Sequence, residues 1–315
     1  MAALICGSLA YDNLSQFNGH FHEHILPDQL HILNVSFLTS NLRRELGGCA
    51  GNVAYALFCL GNAPYVMATL GSYDAEFYLQ HFNKMLLDKT YLKIISKQHT
   101  AQANITTDFD NNQITLFHPG AMDFSQENVI DESVLKKNIT LGIVAPDSYL
   151  GMVSHAQQLA NLNIPFIFDP GQGLPLFNKD NLLSTLNLAS YLTVNDYEAE
   201  LISQRTGLSI NQMAEQVETL IITCGSQGAW LYRKNQKHHI PAITCHSIVD
   251  PTGCGDAFRG GLIYGMQNQF DWITTIRLSH LMGAIKIESQ GAQNYMANQP
   301  SIYELFHQHF GYYLH

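Results

Sequence analysis

The sequence predicts an α/β fold with a doubly wound, mostly parallel sheet, flanked by helices and carrying a small β-sheet lid. Short apolar runs alternate with helical patterns through most of the 315 residues. Most of these runs are apolar throughout rather than alternating, which is typical of strands that are covered on both faces. The strand–helix–strand repetition indicates parallel strands joined by helical crossovers, and a chain of this length can bury the core that such a sheet needs.

The predicted elements alternate in a regular order along the chain. We predict strands over Ala3–Cys6, Tyr65–Thr69, Gly142–Ala145, Pro165–Phe168, Tyr191–Val194 and Leu220–Thr223. We predict helices over Ala50–Leu60, Ala75–Leu87, Met152–Asn161, Lys179–Leu188, Tyr197–Gly207 and Asp256–Gln267. In such a fold the ligand site lies outside the carboxyl ends of the strands. The small or polar residues that the sequence places there are Ser8, Gly71, Asp169, Asn195 and Gly225.

Two segments lack a helix between their strands and predict the lid. The first covers approximately residues 11–45 and includes an extended piece at His31–Leu38, and the second, 101–119, alternates as a hairpin turning at Asp110–Asn112. No linker divides the chain, so we expect one domain over residues 1–315 with the lid at its edge. If Phe37 and Leu38 lie on the outer face of the lid, two subunits could pair through it as a homodimer.

Composition limits the classes of partner. Lys and Arg number 16 against 26 Asp and Glu, a net charge of −10, and charged residues are 13% of the chain, about half the usual share. A nucleic acid polymer is therefore a poor partner. Six scattered cysteines without a CxxC pair indicate reduced thiols. No basic leader and no run of about 18 apolar residues occur, so we expect a cytoplasmic protein that does not enter a membrane.

The segment Asp250-Pro-Thr-Gly-Cys-Gly-Asp256 predicts an anion site. Gly253 and Gly255 flank a short turn that opens into an amphipathic helix, so backbone N–H groups can converge there without side-chain obstruction. The helix N-terminus adds about half a positive charge, which allows phosphate binding without Lys or Arg. Asp256 is either a functional carboxylate beside the anion or an ordinary acid in the first turn. Arg259, one turn further, either touches a phosphate or forms a structural pair.

A second glycine cluster, Gly47-Gly48-Cys49-Ala50-Gly51-Asn52, precedes another helical pattern. Gly47 and Gly48 make a tight entry to the helix, and Asn52 lies in its first turn. An amide side chain offers both a donor and an acceptor, which suits sugar hydroxyls. The alternative is a glycine turn followed by a helix-cap Asn. A third cluster, His20-Phe-His22-Glu-His24, resembles a metal site only superficially, and we interpret it as a solvated loop of the lid.

The two glycine segments resemble the signature motifs of the ribokinase-like (PfkB) family of carbohydrate and nucleoside kinases. They occur in the family's order, about 200 residues apart. Between them, Asn195-Asp-Tyr-Glu198 resembles the family's NxxE motif, and Thr223-Cys-Gly225-Ser-Gln-Gly228 resembles its nucleotide-binding TxGxxG turn. The sequence is most similar to bacterial adenosine kinases. That similarity also rests on Gly7–Asp12, Leu33–Leu38, Phe117–Met122, the DPTG opening and Gly291–Asn294.

The resemblance implies a ribokinase-like fold and an ATP-dependent kinase that phosphorylates the 5′-hydroxyl of a ribonucleoside, most similar to the conversion of adenosine to AMP. The residues that it implies for substrate binding are Ser8, Asp12, Ser36, Gly48, Asn52 and Phe117. Asp12 and Asn52 are expected to hold ribose hydroxyls, and Phe117 of the lid to stack on the base. Ala103, on the facing lid strand, departs from the pattern, since a second aromatic there would complete a base sandwich.

The resemblance also implies the catalytic and nucleotide-binding parts. Asp256 is expected to act as the general base, with an anion hole formed by Gly253, Cys254, Gly255 and Asp256. The residues expected near ATP are Asn195, Thr223, Gly225 and Gly228. Glu198 is expected to help hold Mg²⁺ through water, because Mg²⁺ in proteins keeps several waters. Phosphoryl transfer depends mainly on positioning and electrostatic stabilisation, which these parts can supply.

Other classes of protein are disfavoured by motifs that the sequence lacks. It has no GxxxxGK[ST] stretch, no GxGxxG after the first predicted strand, and no HRD or DFG element, which argues against P-loop NTPases, dinucleotide-dependent dehydrogenases and protein kinases. Two alternatives stay open. One is a ribokinase-like sugar kinase with the same catalytic parts acting on a free sugar. The other is a non-catalytic nucleoside sensor, against which Asp256 argues.

Overall fold

The computed structural model describes residues 2–25 and 34–314. The strands are β1 (Ala2–Cys6), β2 (Ala10–Phe17), β3 (Thr39–Gly47), β4 (Tyr65–Gly71), β5 (Leu92–Ile95), β6 (Ala101–Thr107), β7 (Gln113–His118), β8 (Ile139–Val144), β9 (Phe166–Phe168), β10 (Tyr191–Asn195), β11 (Thr219–Thr223), β12 (Ala229–Arg233) and β13 (Gln236–Ile240). The helices are α1 (Cys49–Cys59), α2 (Ala75–Lys84), α3 (Ser133–Lys136), α4 (Tyr149–Asn161), α5 (Lys179–Leu188), α6 (Asp196–Thr206), α7 (Ile210–Gln216), α8 (Cys254–Gln267), α9 (Trp272–Ile287) and α10 (Gln299–Phe310). Among the described residues, no helix is both long and apolar enough to cross a membrane.

The larger sheet has nine strands in the order β13-β12-β11-β10-β9-β8-β1-β4-β5. Neighbours from β11 to β5 pair in parallel, and β12 and β13 add an antiparallel hairpin at one edge. The mostly parallel sheet is therefore confirmed. The strand order reverses at β1, from which the chain continues to β4 on one side and returns as β8 on the other. Ligand sites in such sheets lie at the carboxyl ends of the strands beside this reversal.

Both faces of the sheet are covered by helices. Successive β1 residues enter different cores: Ala3 and Ile5 pack in a cluster with α1, α8 and α9, while Leu4 and Cys6 pack in a second cluster with α4 and α5. All four are at most 1% exposed. This double burial explains why the strand is apolar at every position.

The predicted elements are present, with small shifts at their ends. Helix α5 has the predicted bounds, whereas α2 ends at Lys84 instead of Leu87, because Leu86 adopts the left-handed conformation with φ 57°. Helix α8 begins at Cys254, two residues before the predicted start. The strands and helices of the main domain that the sequence did not predict are β5, β12, β13, α3, α7, α9 and α10.

The smaller sheet has four strands in the order β3-β2-β6-β7, and β6 and β7 form the predicted hairpin, with Asn111 at φ 61° in its turn. The predicted extended piece at His31–Leu38 differs. Residues 31–33 lie outside the described part of the chain, and 34–38 belong to no strand, because pairing with β2 starts only at Thr39. Phe37 instead packs on Phe17, with ring centroids 4.9 Å apart. Phe37 and Leu38 were both proposed for the outer face of the lid. Leu38 is 88% exposed, whereas Phe37 is only partly exposed.

Candidate active site

The candidate site lies at the carboxyl edge of the larger sheet. Ser8 follows β1, Asp169 follows β9, Asn195 ends β10 and Thr223 ends β11. The first turn of α8 lies at the same edge, because Arg259 of this helix bonds to Asp169. Each of the small or polar residues predicted at this edge ends a strand or follows one within two residues: Ser8, Gly71, Asp169, Asn195 and Gly225. The small sheet joins here too, since β2 leaves β1 after a three-residue connection.

The turn between Asp250 and Asp256 is held by its own hydrogen bonds. Gly253 caps α8 in the left-handed conformation at φ 78°, and a Cβ there would lie 2.7 Å from the Cβ of Ala292, so glycine is required. The carboxylate of Asp250 accepts hydrogen bonds from the backbone N–H groups of Thr252 at 2.9 Å and Gly291 at 2.8 Å. Although burial opposes ionisation, these bonds lower the pKa of Asp250. The turn therefore carries one fixed negative charge.

Asp256 contacts the first turn of α1. Its Oδ2 accepts a hydrogen bond from Asn52 Nδ2 at 2.7 Å. Burial raises the pKa of Asp256 to about 6, and the charge of Asp169 adds to this rise, while the Asn52 bond and Arg259 oppose it. A carboxylate that titrates near neutral pH can both take and release a proton there.

Arg259 forms a structural pair. Its Nε and Nη2 donate to the two carboxylate oxygens of Asp169, both at 3.0 Å, and the two residues are 6% and 3% exposed. Burial alone disfavours the guanidinium charge, but the adjacent Asp169 carboxylate raises the pKa of Arg259. Arg259 Nη1 also donates to the carbonyl of Gly255 at 3.3 Å. Of the two interpretations left open by the sequence, the structure supports the structural pair, which fixes α8 to the end of β9.

Asn52 is held from both ends of its amide. Besides bonding to Asp256, its Oδ1 accepts a hydrogen bond from Gln293 Nε2 at 2.9 Å, and the same nitrogen lies 2.9 Å from the hydroxyl of Tyr78. Asn52 is 6% exposed and Gln293 is 4% exposed. Gly48, not Asn52, occupies the N-cap of α1, so the helix-cap interpretation is wrong. Gln293 lies in the Gly291–Asn294 segment that carries part of the family similarity, but no role was predicted for it, and Tyr78 belongs to none of the motifs.

The small sheet places Asp12 and Phe117 on one face. Asp12 of β2 lies opposite Ala103 of β6, and Ala103 lies opposite Phe117 of β7, and directly opposed residues share a face. Phe117 is 53% exposed. Burial, assisted by the charges of Glu45 and Asp250, raises the pKa of Asp12 to about 6. A Cβ on Gly47 would lie 2.5 Å from Asp12 Oδ2, so glycine at this position makes room for the carboxylate.

Gly48, Ser8 and Ser36 have different surroundings. Gly48 adopts φ 85°, and a Cβ there would lie 2.6 Å from both Ser8 O and Ala10 N. Glycine at this position therefore makes room for the backbone of the connection between β1 and β2. Ser8 Oγ accepts a hydrogen bond from the backbone N–H of Cys49 at 3.2 Å. Ser36 is exposed on the segment before β3, and its side chain bonds to no other described residue.

The residues of the TxGxxG segment border a cavity of about 530 Å³. Thr223, Gly225 and Gly228 line one side, and Cys254 and Gly255 of α8 line another. Gly228 adopts φ 103°, and a Cβ there would lie 2.2 Å from the carbonyl oxygen of Ile240, which explains the glycine. Burial raises the pKa of the Cys254 thiol to about 11, so it is a neutral member of the turn.

Asn195 and Glu198 form a capping box at the start of α6. Asn195 Oδ1 accepts from the backbone N–H of Glu198 at 2.7 Å, and Glu198 Oε2 accepts from the backbone N–H of Asn195 at 2.8 Å. Burial and the nearby Asp169 charge raise the pKa of Glu198. Both residues lie at the carboxyl edge of the sheet, and the predicted ATP and Mg²⁺ contacts stay predictions.

The histidines that follow β2 have a third polar neighbour. His20, His22 and Asp110 bring possible ligand atoms within 4.8 Å of one another, and His20 Nδ1 lies 2.8 Å from Asp110 Oδ2. His22 is 70% exposed in its side chain. Spacing within the histidine segment could not have indicated Asp110, which comes from the β6–β7 turn.

Comparisons with known proteins agree with this architecture. The nucleoside kinase of Methanocaldococcus jannaschii is 27% identical over 277 residues, which cover 88% of this chain and 90% of that protein. The structure of Burkholderia thailandensis nucleoside kinase in complex with inosine is 50% identical, with a TM-score of 0.89 over 99% of both chains. A ribokinase from Thermotoga maritima, 21% identical with a TM-score of 0.82 over 98% of this chain, shares the fold.

The family is settled by one further match, which also confirms the resemblance stated from the four motifs. Residues 23–299 match the model of the pfkB family carbohydrate kinases, and this range includes both glycine segments and every residue that lines the 530 Å³ cavity. The chain thus belongs to the PfkB family of carbohydrate kinases, phosphotransferases that act on an alcohol group.

Proposed function

We propose that this protein is an ATP-dependent kinase that phosphorylates the 5′-hydroxyl of a ribonucleoside, with purine nucleosides such as adenosine and inosine as substrates. One observation carries the proposal: Asp256 lies at the start of α8, between the cavity of the nucleotide-binding motif and the α1 turn that leads from the small sheet. The nucleoside kinases among the relatives, including one solved with inosine, support a nucleoside as the acceptor.

The nucleoside is proposed to bind against the small sheet. Phe117 offers an exposed ring for stacking on the base, and Asp12, on the same face, offers carboxylate oxygens to ribose hydroxyls. Ala103 between them is small, which leaves the base open on that side. An open base pocket is consistent with more than one purine as substrate.

The phosphoryl donor is proposed to lie in the 530 Å³ cavity. The Thr223–Gly228 turn would hold the nucleotide, and the amides at the start of α8 would receive the γ-phosphoryl group, since helix N-termini stabilise anions. Asp256 Oδ would accept the proton of the 5′-hydroxyl as that oxygen attacks in line. The Arg259–Asp169 pair would keep the turn in place.

Mg²⁺ is proposed to bind beside Glu198. Carboxylate oxygen is a ligand that Mg²⁺ prefers, directly or through its waters. Glu198 uses Oε2 in the capping box, and Oε1 bonds to no other residue in the described chain, so the donor set fits a hydrated ion. The ion would neutralise charge on the phosphates when bound.

A substrate panel tests the proposal. Purified protein with ATP and MgCl₂ is given adenosine, inosine, guanosine, cytidine, ribose and fructose 6-phosphate, and ADP release is measured together with the product by mass spectrometry. We expect purine nucleosides to have the highest kcat/KM and to yield 5′-monophosphates. A higher kcat/KM for a free sugar would replace the proposal by a sugar kinase, and nucleoside binding without turnover would replace it by a sensor.

A further inference from the structure

Lys286 is a buried cation next to the turn between Asp250 and Asp256. It lies in the last turn of α9 and is 0% exposed. Its Nζ donates to the backbone carbonyls of Asp250 at 2.7 Å and of Ser289 at 3.0 Å. Over residues 2–25 and 34–314, no carboxylate lies within 4.0 Å of this ammonium group. Lysines are almost never fully buried unless paired, so an ammonium held by carbonyls alone calls for a reason.

The ammonium group connects two segments that meet at the turn. Asp250 opens the turn that leads into α8, and Ser289 follows the end of α9. The backbone N–H groups of Val249 and Asp250 both donate to the carbonyl of Ile287, at 2.9 and 3.1 Å. Lys286 closes this junction from the inside, and it also lies at the negative end of the α9 dipole.

Within the described part of the chain, Lys286 forms no ion pair with a carboxylate, in contrast to Arg259. The Arg259 guanidinium is neutralised by two bonds to Asp169. The carboxylate of Asp250 is occupied by the backbone N–H groups of Thr252 and Gly291. Burial lowers the pKa of Lys286, and the nearby Asp250 charge partly offsets this. A neutral side chain could fill the same space without the cost of burying a charge.

The bonded carbonyl explains what the charge can do. A peptide oxygen carries partial negative charge, and Asp250 O lies 4.0 Å from the Sγ of Cys254, the first residue of α8. Without a cation, this oxygen would weaken the positive potential that the α8 amides present to a phosphate. The ammonium group both offsets that oxygen and fixes the peptide from which the turn starts.

We propose that Lys286 is a positioning residue that acts as a built-in monovalent cation of the phosphoryl-transfer site, an inference that rests on the proposed kinase function. It holds the Asp250 carbonyl away from the transferred group and keeps the Gly253–Asp256 amides directed at it. It has no contact with substrate. A small free cation that binds two carbonyl oxygens should replace it when the side chain is removed.

Cation rescue tests this proposal. Lys286→Ala is assayed at constant ionic strength in tetramethylammonium chloride, with increasing replacement by ammonium chloride or potassium chloride. We expect kcat to fall at least about tenfold with the nucleoside KM changed less than about threefold, because the turn and not the nucleoside pocket is disturbed. Ammonium should restore a large part of the lost kcat in the variant and leave the wild-type protein unchanged.

Two further variants separate charge from structure. Lys286→Gln keeps a polar side chain with N–H donors but is neutral and one bond shorter, so it should fold and still lose kcat. Lys84→Ala removes an exposed lysine from the last turn of α2 and should change nothing. Wild-type kcat in Lys286→Gln, or loss in Lys286→Ala that ammonium does not relieve, overturns the proposal.

Thermal unfolding gives a readout that does not need turnover. Ammonium, but not tetramethylammonium, should raise the Tm of Lys286→Ala and not that of the wild-type protein, since only the variant has a vacant pair of carbonyls. If the wild-type protein phosphorylates no alcohol, the proposed kinase function is wrong. The rise in the Tm of Lys286→Ala with ammonium then still tests whether a cation binds the two carbonyls. An equal Tm response of both proteins counts against it. If Lys286→Ala does not fold in either salt, Lys286→Gln decides on kcat alone.

Discussion

Asn52 Nδ2 donates a 2.7 Å hydrogen bond to Asp256 Oδ2, joining the first turns of α1 and α8 across 204 residues of sequence. The bond fixes the orientation of the Asp256 carboxylate. Asn52 is itself held by a hydrogen bond from Gln293, so side chains of the protein hold Asp256 in place. The predictions below follow from this arrangement and from its neighbours.

Asp256→Asn should abolish most of the turnover. An amide cannot accept the proton of the 5′-hydroxyl, and a general base contributes at least about 100-fold, so kcat should fall by that factor or more. Nucleoside affinity, measured by calorimetry, should stay within about threefold, since Asp256 is not proposed to bind the base. The matched control is Asp180→Asn, which changes an exposed carboxylate in the first turn of α5. Activity of Asp256→Asn near that of the control would remove Asp256 from the mechanism.

The pH profile of kcat/KM should have an acidic limb near pH 6. Burial raises the pKa of Asp256 to about 6, and the base acts only when ionised, so activity should decline as the pH falls through that value. Asp12, whose pKa burial also raises to about 6, should contribute to the same limb through nucleoside binding. Rates from pH 5 to 8 in buffers of equal ionic strength measure it. A limb near pH 4, the range of an unperturbed carboxyl, contradicts the prediction.

The same two carboxyls have the opposite effect on stability. Their native pKa values lie above the ordinary 3.8, so the native state binds protons more tightly than the unfolded state between about pH 4 and 6. The free energy of unfolding should therefore decrease as pH rises through this range, by at most about 3 kcal/mol for each group. Asp256→Asn should reduce this pH dependence in urea unfolding, because it removes one of the two groups.

Gln293→Leu should reduce kcat. The substitution leaves Asn52 Oδ1 without its donor in a buried position, at a cost of about 1–3 kcal/mol in unfolding free energy. A loosened Asn52 no longer holds Asp256, for which we expect a loss of roughly tenfold in kcat. Gln299→Leu is the control, since Gln299, the first residue of α10, bonds to the hydroxyl of Tyr264 and not to Asn52. An equal loss in both variants would indicate a general effect of stability.

The fold was predictable from sequence because its strands are buried on both faces, as the unbroken apolar run of β1 shows. The β12–β13 hairpin was not predictable from the sequence. Its turn residues, Lys234 and Asn235, adopt φ 50° and 59°, but they lack the Asn-Gly pair that usually marks such turns. The motifs placed Asp256 and Asn52 but not their bond, since the two are distant in sequence. Lys286 gave no signal either: a lysine in a last helical turn is ordinarily exposed, and its burial depends on how α9 meets the turn.

Breaking the Arg259–Asp169 pair should destabilise the protein more than replacing both partners. Arg259→Met leaves the Asp169 carboxylate buried and unpaired, which costs about 3–5 kcal/mol of unfolding free energy, whereas adding Asp169→Leu removes that charge and should recover most of it. Urea unfolding of the two single variants and the double variant measures the coupling. Additive losses in the double variant would mean that the pair does not stabilise the end of β9 against α8.

Phe117→Ala should weaken nucleoside binding without slowing the chemical step. Phe117 lies in one row with Asp12 on the small sheet and is 53% exposed, so its ring is available to a base. Stacking of a base on an aromatic ring contributes about 1–3 kcal/mol, which predicts a KM for inosine raised about five- to 150-fold at nearly constant kcat. Leu116→Ala is the matched control, because neighbouring residues of a strand point to opposite faces and Leu116 is 69% exposed. KM for a free sugar should not respond to either variant. A loss of kcat with unchanged KM in Phe117→Ala would place the ring away from the base and the nucleoside elsewhere on the small sheet.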